Sequence, residues 1–169
     1  QQRSSAASDV YKRQNLNNLS WKYSNPHILE FKVASDDIDI LGHVNNKVYL
    51  NWCEHVSWDH SAKLGITPDT YKKNQCACVV IRSENNFSGS LFIDDEIAIS
   101  TWITKTDKKV RLSRFFQIIN IAKNHTVFTS NVDYACVSLI NFKPVRMPEI
   151  YKNSYCLLYT SDAADDRCC

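Results

Sequence analysis

The chain has 169 residues, of which 44% are hydrophobic and 22% charged, with a formal net charge of +2. That is enough for one domain with a self-sufficient core. The near-balance of charge excludes the strongly basic footprint of a nucleic-acid binder, and no apolar run approaches the roughly 18 residues of a membrane span.

The amino terminus lacks the apolar segment of a secretory signal, so a cytoplasmic protein is expected. There are seven cysteines, Cys53, Cys76, Cys78, Cys136, Cys156, Cys168 and Cys169. An odd count without a secretory signal favours reduced thiols over a disulfide scaffold. Cys76-Ala-Cys78 has no second pair to complete a zinc site, and reads as two buried small hydrophobes.

In chain order, the first stretch is "QQRSSAASDVYKRQ", residues 1–14, without sustained periodicity. It has a counterpart at the other end in "LLYTSDAADDRCC". Both resemble translated sequencing-adapter read-through. They are set aside as non-native or disordered tails, 1–14 and 154–169, leaving one domain over 15–153. The two stretches hold equal numbers of acidic and basic residues, so the net charge does not change.

From Ile28, Leu29, Phe31 and Val33 alternate with Glu30, Lys32 and Ala34, the pattern of a half-buried strand. Next comes "DDIDILGHVNNKVYLNWCEH", which spends one of only three glycines among acids and amides. A helix opens at Asn45 or Asn46, since asparagine is a strong N-cap. Tyr49, Trp52, Cys53, Val56 and His60 follow at helical spacing for about five turns. Gly65 can end the run, and Pro68 lies beyond it.

After the helix only strands are expected. "CACVVIRSENNF" is the first of these. "DEIAISTWITK" sets Ile97, Ile99, Thr101 and Ile103 on one face. "VRLSRFFQIINIA" follows the turn "TDKK". "TVFTSNVDYACVSLI" follows the turn "KNH", with Phe128, Val132, Tyr134 and Cys136 on one face. One strand, one long helix and four strands make an α+β plan. A single helix cannot cover both faces of such a sheet, so a homodimer or homotetramer is expected.

The segment before the helix is where chemistry concentrates. No G-x-S-x-G elbow, P-loop or G-x-G-x-x-G is present. His55 and His60 lie about 140° apart around a helix, too far to share a metal. What remains is a carboxylate just ahead of a helix N-terminus, whose unpaired amides can hold a polarised carbonyl oxygen. A carboxylate beside that carbonyl can attack it or deprotonate water. Gly42 permits a sharp bend and leaves room for a substrate. The same residues also read as solvated loop acids, Asp36, Asp37 and Asp39, that pre-cap the helix.

"DIDILGHVNNKVYLNWCEH" resembles the signature of hotdog-fold thioesterases, in the 4-hydroxybenzoyl-CoA thioesterase-like group and its acyl-ACP thioesterase relatives. The matching positions are Asp37, Asp39, Gly42, His43, Val44, Tyr49, Trp52 and Glu54. The resemblance runs from about residue 26 to 152 and includes "FKPVRMPEIY" as a closing segment. It implies an antiparallel sheet wrapped around one long helix and hydrolysis of an acyl-CoA or acyl-ACP thioester, an activity of fatty acid metabolism, without a cofactor or metal.

By the same resemblance Asp39 is the catalytic carboxylate, and the amide of Asn46 polarises the thioester carbonyl. His43 either orients Asp39 or a water or packs at the helix start. Glu54 is either a second acid beside the substrate or a structural hydrogen-bond or ion-pair partner. Gly42, Val44 and Tyr49 are expected beside the substrate with Asn45, which reads most simply as the cap. Acyl-ACP thioesterases read D-x-N-x-H-V-N-N in this loop, and Leu41 stands here where they carry the Asn. The same fold also carries hydratases and dehydratases, whose D-x-N-P-x-H-like loop this chain lacks, and non-catalytic acyl-binding modules. Lys105, Lys108, Lys109 and Arg111 cluster at "TDKK", either to meet coenzyme A phosphates or as a solvated hairpin tip.

Overall fold

A computed structural model describes residues 16–155. The expected tails, with Cys156, Cys168 and Cys169, lie outside the described residues apart from Ser154 and Tyr155. Strand β1 (His27–Lys32) leads through a 3-10 turn at Ser35–Asp37 into helix α1 (Asn46–Lys63). A short helix α2 (Pro68–Asn74) precedes β2 (Cys76–Phe87), β3 (Glu96–Thr106), β4 (Arg111–Asn120) and β5 (His125–Ser138). A last short helix, α3, covers Glu149–Ser154. The five strands form one antiparallel sheet in the order β1-β3-β4-β5-β2.

The sheet wraps around α1 because one stripe of that helix is apolar. Val48, Tyr49, Trp52, Cys53 and Val56 are buried, at the three- and four-residue spacing of a single face. They pack against Ile97, Ile99, Phe116, Ile118 and Phe128 on the concave side of the sheet. Asn45 caps α1, its side chain accepting from the Lys47 amide at 3.1 Å. Past the other end Gly65 takes φ +82°, a left-handed value that glycine adopts without strain.

The expectation of strands alone after α1 is corrected by α2 and α3. Pro68 does not simply follow a helix: it occupies the first turn of the next one, where its missing N–H costs nothing. Seven residues give too little periodicity to recognise. Helix α3 buries Tyr151, and Tyr155 just beyond it is only 2% exposed. The expected boundary after Asn153 therefore falls inside packed structure.

The convex face of the sheet is partly covered by the chain itself. Ala98, Ser100 and Trp102 are as buried as the concave residues between them. Segment 16–26 lies across them. Trp21 and Tyr23 meet Trp102 edge-on, and Trp102 Nε1 donates to the Ser24 carbonyl at 2.9 Å. Gln117 clasps the same segment, donating to the Ser20 carbonyl and accepting from the Lys22 amide. Among the described residues edge strand β2 has no such cover and exposes Val79, Val80, Ile81 and Phe87.

Candidate active site

The loop from Asp37 to Asn46 is built by its own polar groups. An isolated bridge between Ile38 and Val44 closes it. Inside that bridge the Asp39 amide donates to the His43 carbonyl at 2.9 Å, and the Gly42 amide to the Asp39 carbonyl at 3.0 Å. Gly42 has φ +80°, with open space where a Cβ would stand. Its requirement is therefore conformational within this chain, rather than clearance for a neighbouring atom.

The two acids of Asp37-Ile38-Asp39 do different things. Asp37 closes the 3-10 turn Ser35–Asp37. Its Oδ2 accepts the Ala34 amide at 2.9 Å, and its carbonyl accepts the Asn45 amide at 2.9 Å. Asp37 thus holds the loop. Asp39 uses Oδ1 to accept the Leu41 amide at 2.8 Å, which fixes the carboxylate. Its Oδ2 lies 3.7 Å from His43 Nδ1, with 20% of the Asp39 side chain and 33% of the His43 side chain exposed.

Immediately beyond stands the helix terminus. Asn45 takes the Lys47 amide on its side chain and the Val48 amide on its carbonyl. The Asn46 amide has no hydrogen-bond partner among the described residues. One carboxylate, one imidazole and one unpaired amide at the positive end of α1 thus share a short loop. Leu41 and Ile40 are exposed beside them.

The remaining expected site residues divide. Val44 and Tyr49 are core, 1% and 2% exposed. Burial pushes the Tyr49 phenol up, and its ring packs on Trp52, Phe87 and Phe128. Glu54 accepts from Trp58 Nε1 at 3.3 Å and lines a cavity of about 470 Å³ between α1 and the sheet. That cavity begins at Leu50, one turn past Asn46, and none of Asp39, Gly42, His43, Asn45 and Asn46 lines it. At the "TDKK" tip, Asp107 Oδ1 accepts the amides of Lys109, Val110 and Arg111, which sets the turn.

Sequence reasoning missed the far end of this cavity. There Arg114, 3% exposed, donates to His60 Nδ1 at 3.0 Å and to Ser61 Oγ at 2.9 Å. Its guanidinium also lies 5.5 Å from the centre of the Tyr155 ring. His60 stacks on His27 at 4.6 Å, and His27 Nε2 bonds Asp59 at 2.8 Å. Burial, reinforced by the Arg114 charge, pushes His60 down to about 3, so it stays neutral and accepts from arginine. One signal was available: Arg114 shares the inward register of Leu112, Phe116 and Ile118 on β4.

A five-stranded antiparallel sheet around one long helix defines the hotdog fold, here with a carboxylate loop at the helix N-terminus. Solved structures share the fold. A 1,4-dihydroxy-2-naphthoyl-CoA thioesterase from Synechocystis superposes with a TM-score of 0.70 at 15% identity, over 78% of this chain and 96% of that one. A DHNA-CoA thioesterase from Staphylococcus aureus gives 0.66 at 24% identity, over 72% and 80%. An acyl-acyl carrier protein thioesterase of Arabidopsis thaliana, the chloroplastic ATL3, is 25% identical over 145 residues, 82% of this chain and 72% of its own. Residues 33–154 match the family described as the thioesterase-like superfamily, and the chain belongs to that family.

Proposed function

We propose that the chain hydrolyses an acyl-CoA or acyl-carrier-protein thioester to the free acid and thiol, with Asp39 as the catalytic carboxylate. The observation that carries this is the pairing of a fixed carboxylate, half-buried on its loop, with the unpaired Asn46 amide at the start of α1. The amide and the helix dipole stabilise charge as it develops on the carbonyl oxygen. As a base, Asp39 takes a proton from water while that water attacks the carbonyl, and the thiolate leaves with a proton. As a nucleophile, Asp39 forms an anhydride, expels the thiolate, and is released by water. His43, 3.7 Å from Asp39 Oδ2, orients the carboxylate or the water.

Asp39→Asn keeps the shape and removes the charge. Its kcat on a good acyl-CoA substrate should fall by on the order of 10²–10⁴-fold, with KM changed much less. Folded Asp39→Asn turning over at the wild-type rate sinks the mechanism. Single-turnover hydrolysis in heavy-oxygen water, with mass measurement of the Asp39 peptide, separates base from nucleophile.

The exposed apolar edge strand β2 favours a homodimer or homotetramer with the loop near the interface. Light scattering at micromolar concentration tests this, and a monomer counts against it. The four described cysteines are free, which fits a reducing compartment such as the cytoplasm. The relative from Arabidopsis is a chloroplastic protein, an equally reducing alternative.

A further inference from the structure

The cavity beside α1 ends on a cation that no acid among the described residues neutralises. Arg114 is 3% exposed and forms part of the cavity wall. Both of its hydrogen bonds go to neutral acceptors, His60 Nδ1 and Ser61 Oγ, and its other neighbour is the ring of Tyr155. The nearby acids are committed elsewhere. Asp59 bonds His27 and Lys63, with the stacked imidazoles between it and the guanidinium. Asp133 accepts from Ser113 Oγ and pairs with Arg82. Among the described residues no carboxylate lies within ion-pair distance of Arg114.

A buried charge without a counter-ion is costly unless something with opposite charge arrives. A guanidinium carries five N–H groups in a planar fork, and the two hydrogen bonds here leave donors over. The same end of the cavity is lined by Ser61, Tyr71, Tyr134 and Tyr155. Burial pushes Tyr134 up to about 12 and raises Tyr71 as well, so both phenols stay protonated. Nearer Leu50 the lining mixes Cys53 and Phe116 with Glu54 and Ser130, while Val132 lies opposite Arg114 in the β4–β5 register. Along α1, Leu50 and Ser61 are about 16 Å apart, at 1.5 Å of rise per residue.

We propose that this cavity selects acyl groups whose far end carries a carboxylate, which Arg114 binds with its spare donors beside Ser61 and the tyrosines. The substrate class is then an ω-carboxyacyl thioester, with its thioester at the amino end of α1 and its carboxylate near the carboxyl end. This rests on the thioesterase reading above and names the substrate of the same site. No carboxylate among the described residues neutralises Arg114, so such a ligand would satisfy its charge and convert a folding cost into selectivity.

The test uses the full chain and ligands that cannot be hydrolysed by the mechanism. Hexadecanedioic acid monoamide and hexadecanamide have the same carbon count, are long enough to run between the two ends of α1, and each offers an amide carbonyl in place of the thioester. They differ in ending on a carboxylate or a methyl. Calorimetric titration should give wild-type affinity for hexadecanedioic acid monoamide on the order of 10–100-fold tighter than for hexadecanamide. In Arg114→Met that preference should vanish, while Arg114→Lys should keep part of it.

Arg114→Met should melt no lower than the wild type, because it removes an unpaired buried charge. Equal binding of the two amides by the wild type overturns the proposal, as does a preference that survives in folded Arg114→Met. If Arg114→Met does not fold, the wild-type comparison and Arg114→Lys still decide. The CoA monothioester of hexadecanedioic acid against hexadecanoyl-CoA, read by free thiol, should show the same preference in KM. Because binding is measured without turnover, failure here is distinguishable from failure of Asp39→Asn, which reads kcat alone.

Discussion

At its amino end α1 meets a loop whose functional groups all come from the ten positions between Asp37 and Asn46. At its carboxyl end it meets His27 from β1, Arg114 from β4 and Tyr155 from beyond α3, gathered around its own His60 and Ser61. The first end is partly exposed and held by short backbone bonds. The second is buried and held by side chains from distant parts of the sequence. A loop that brings its own scaffold can present a carboxylate to solvent and change little when the core changes. A cluster assembled by the whole fold can keep a charge away from water, and that makes it a recognition element.

The sharpest way to break this contrast is to neutralise one charge at each end. Asp39→Asn should lose on the order of 10²–10⁴-fold in kcat, and Arg114→Met should leave kcat on octanoyl-CoA nearly unchanged. Asp37→Asn should cost clearly less than Asp39→Asn, since its carboxylate serves the Ala34 amide and the loop. Equal kinetic losses at both ends would show that the groove works as one unit, and would erase the division of labour.

The carboxyl end should also control acid stability. The His60 environment is set by Arg114 from β4, His27 from β1 and Asp59 and Lys63 from α1 itself. Its folded value, near 3, lies below the ordinary 6.5, and burial lowers His27 too. The unfolded chain therefore binds more protons below about pH 6.5. The stabilisation is fully present above that pH and is lost as pH falls toward 3. By pH 5 His60 should account for about 2 kcal/mol, read from urea midpoints at pH 7 and pH 5. His60→Asn should flatten that slope, and an unchanged slope would place the sensitive group elsewhere.

The same contrast explains what the sequence discloses. The amino end was legible because capping, turn and carboxylate chemistry are local: Asn45, Gly42 and Asp39 act through neighbours within a few residues. Strand β2 was legible to its ends for the same reason, being bounded by turn and loop residues. The carboxyl end was not, because nothing near Arg114 in sequence announces His60 or Tyr155. Only its inward register on β4 was visible. Segment 16–26 was illegible as cover for the sheet, since its contacts with Trp102 and Gln117 depend on tertiary placement. The short helices α2 and α3 were hidden by length.

Removing the cap tests the amino end for stability rather than chemistry. Asn45→Ala frees the Lys47 amide and should cost about 1 kcal/mol. If Asn45 is only a cap, Tm should fall by a few degrees while kcat on acyl-CoA stays close to wild type. A large loss of kcat without loss of Tm would mean that its side chain touches the substrate.

A small effect should also come from the middle of the groove, between the two ends. Cys53 lies on the cavity wall and is 6% exposed. Burial raises its thiol well above the ordinary range, whereas a nucleophilic cysteine needs its thiolate stabilised. Its place one turn past Tyr49, against the core, explains it as packing. Cys53→Ala should therefore keep kcat/KM within about tenfold and lower stability by about 1 kcal/mol for the lost sulfur contacts. Free-thiol release from one acyl-CoA, measured beside a thermal melt, checks both. A folded variant without activity would put a covalent thiol intermediate in the groove, and the chemistry would then no longer belong to the amino end alone.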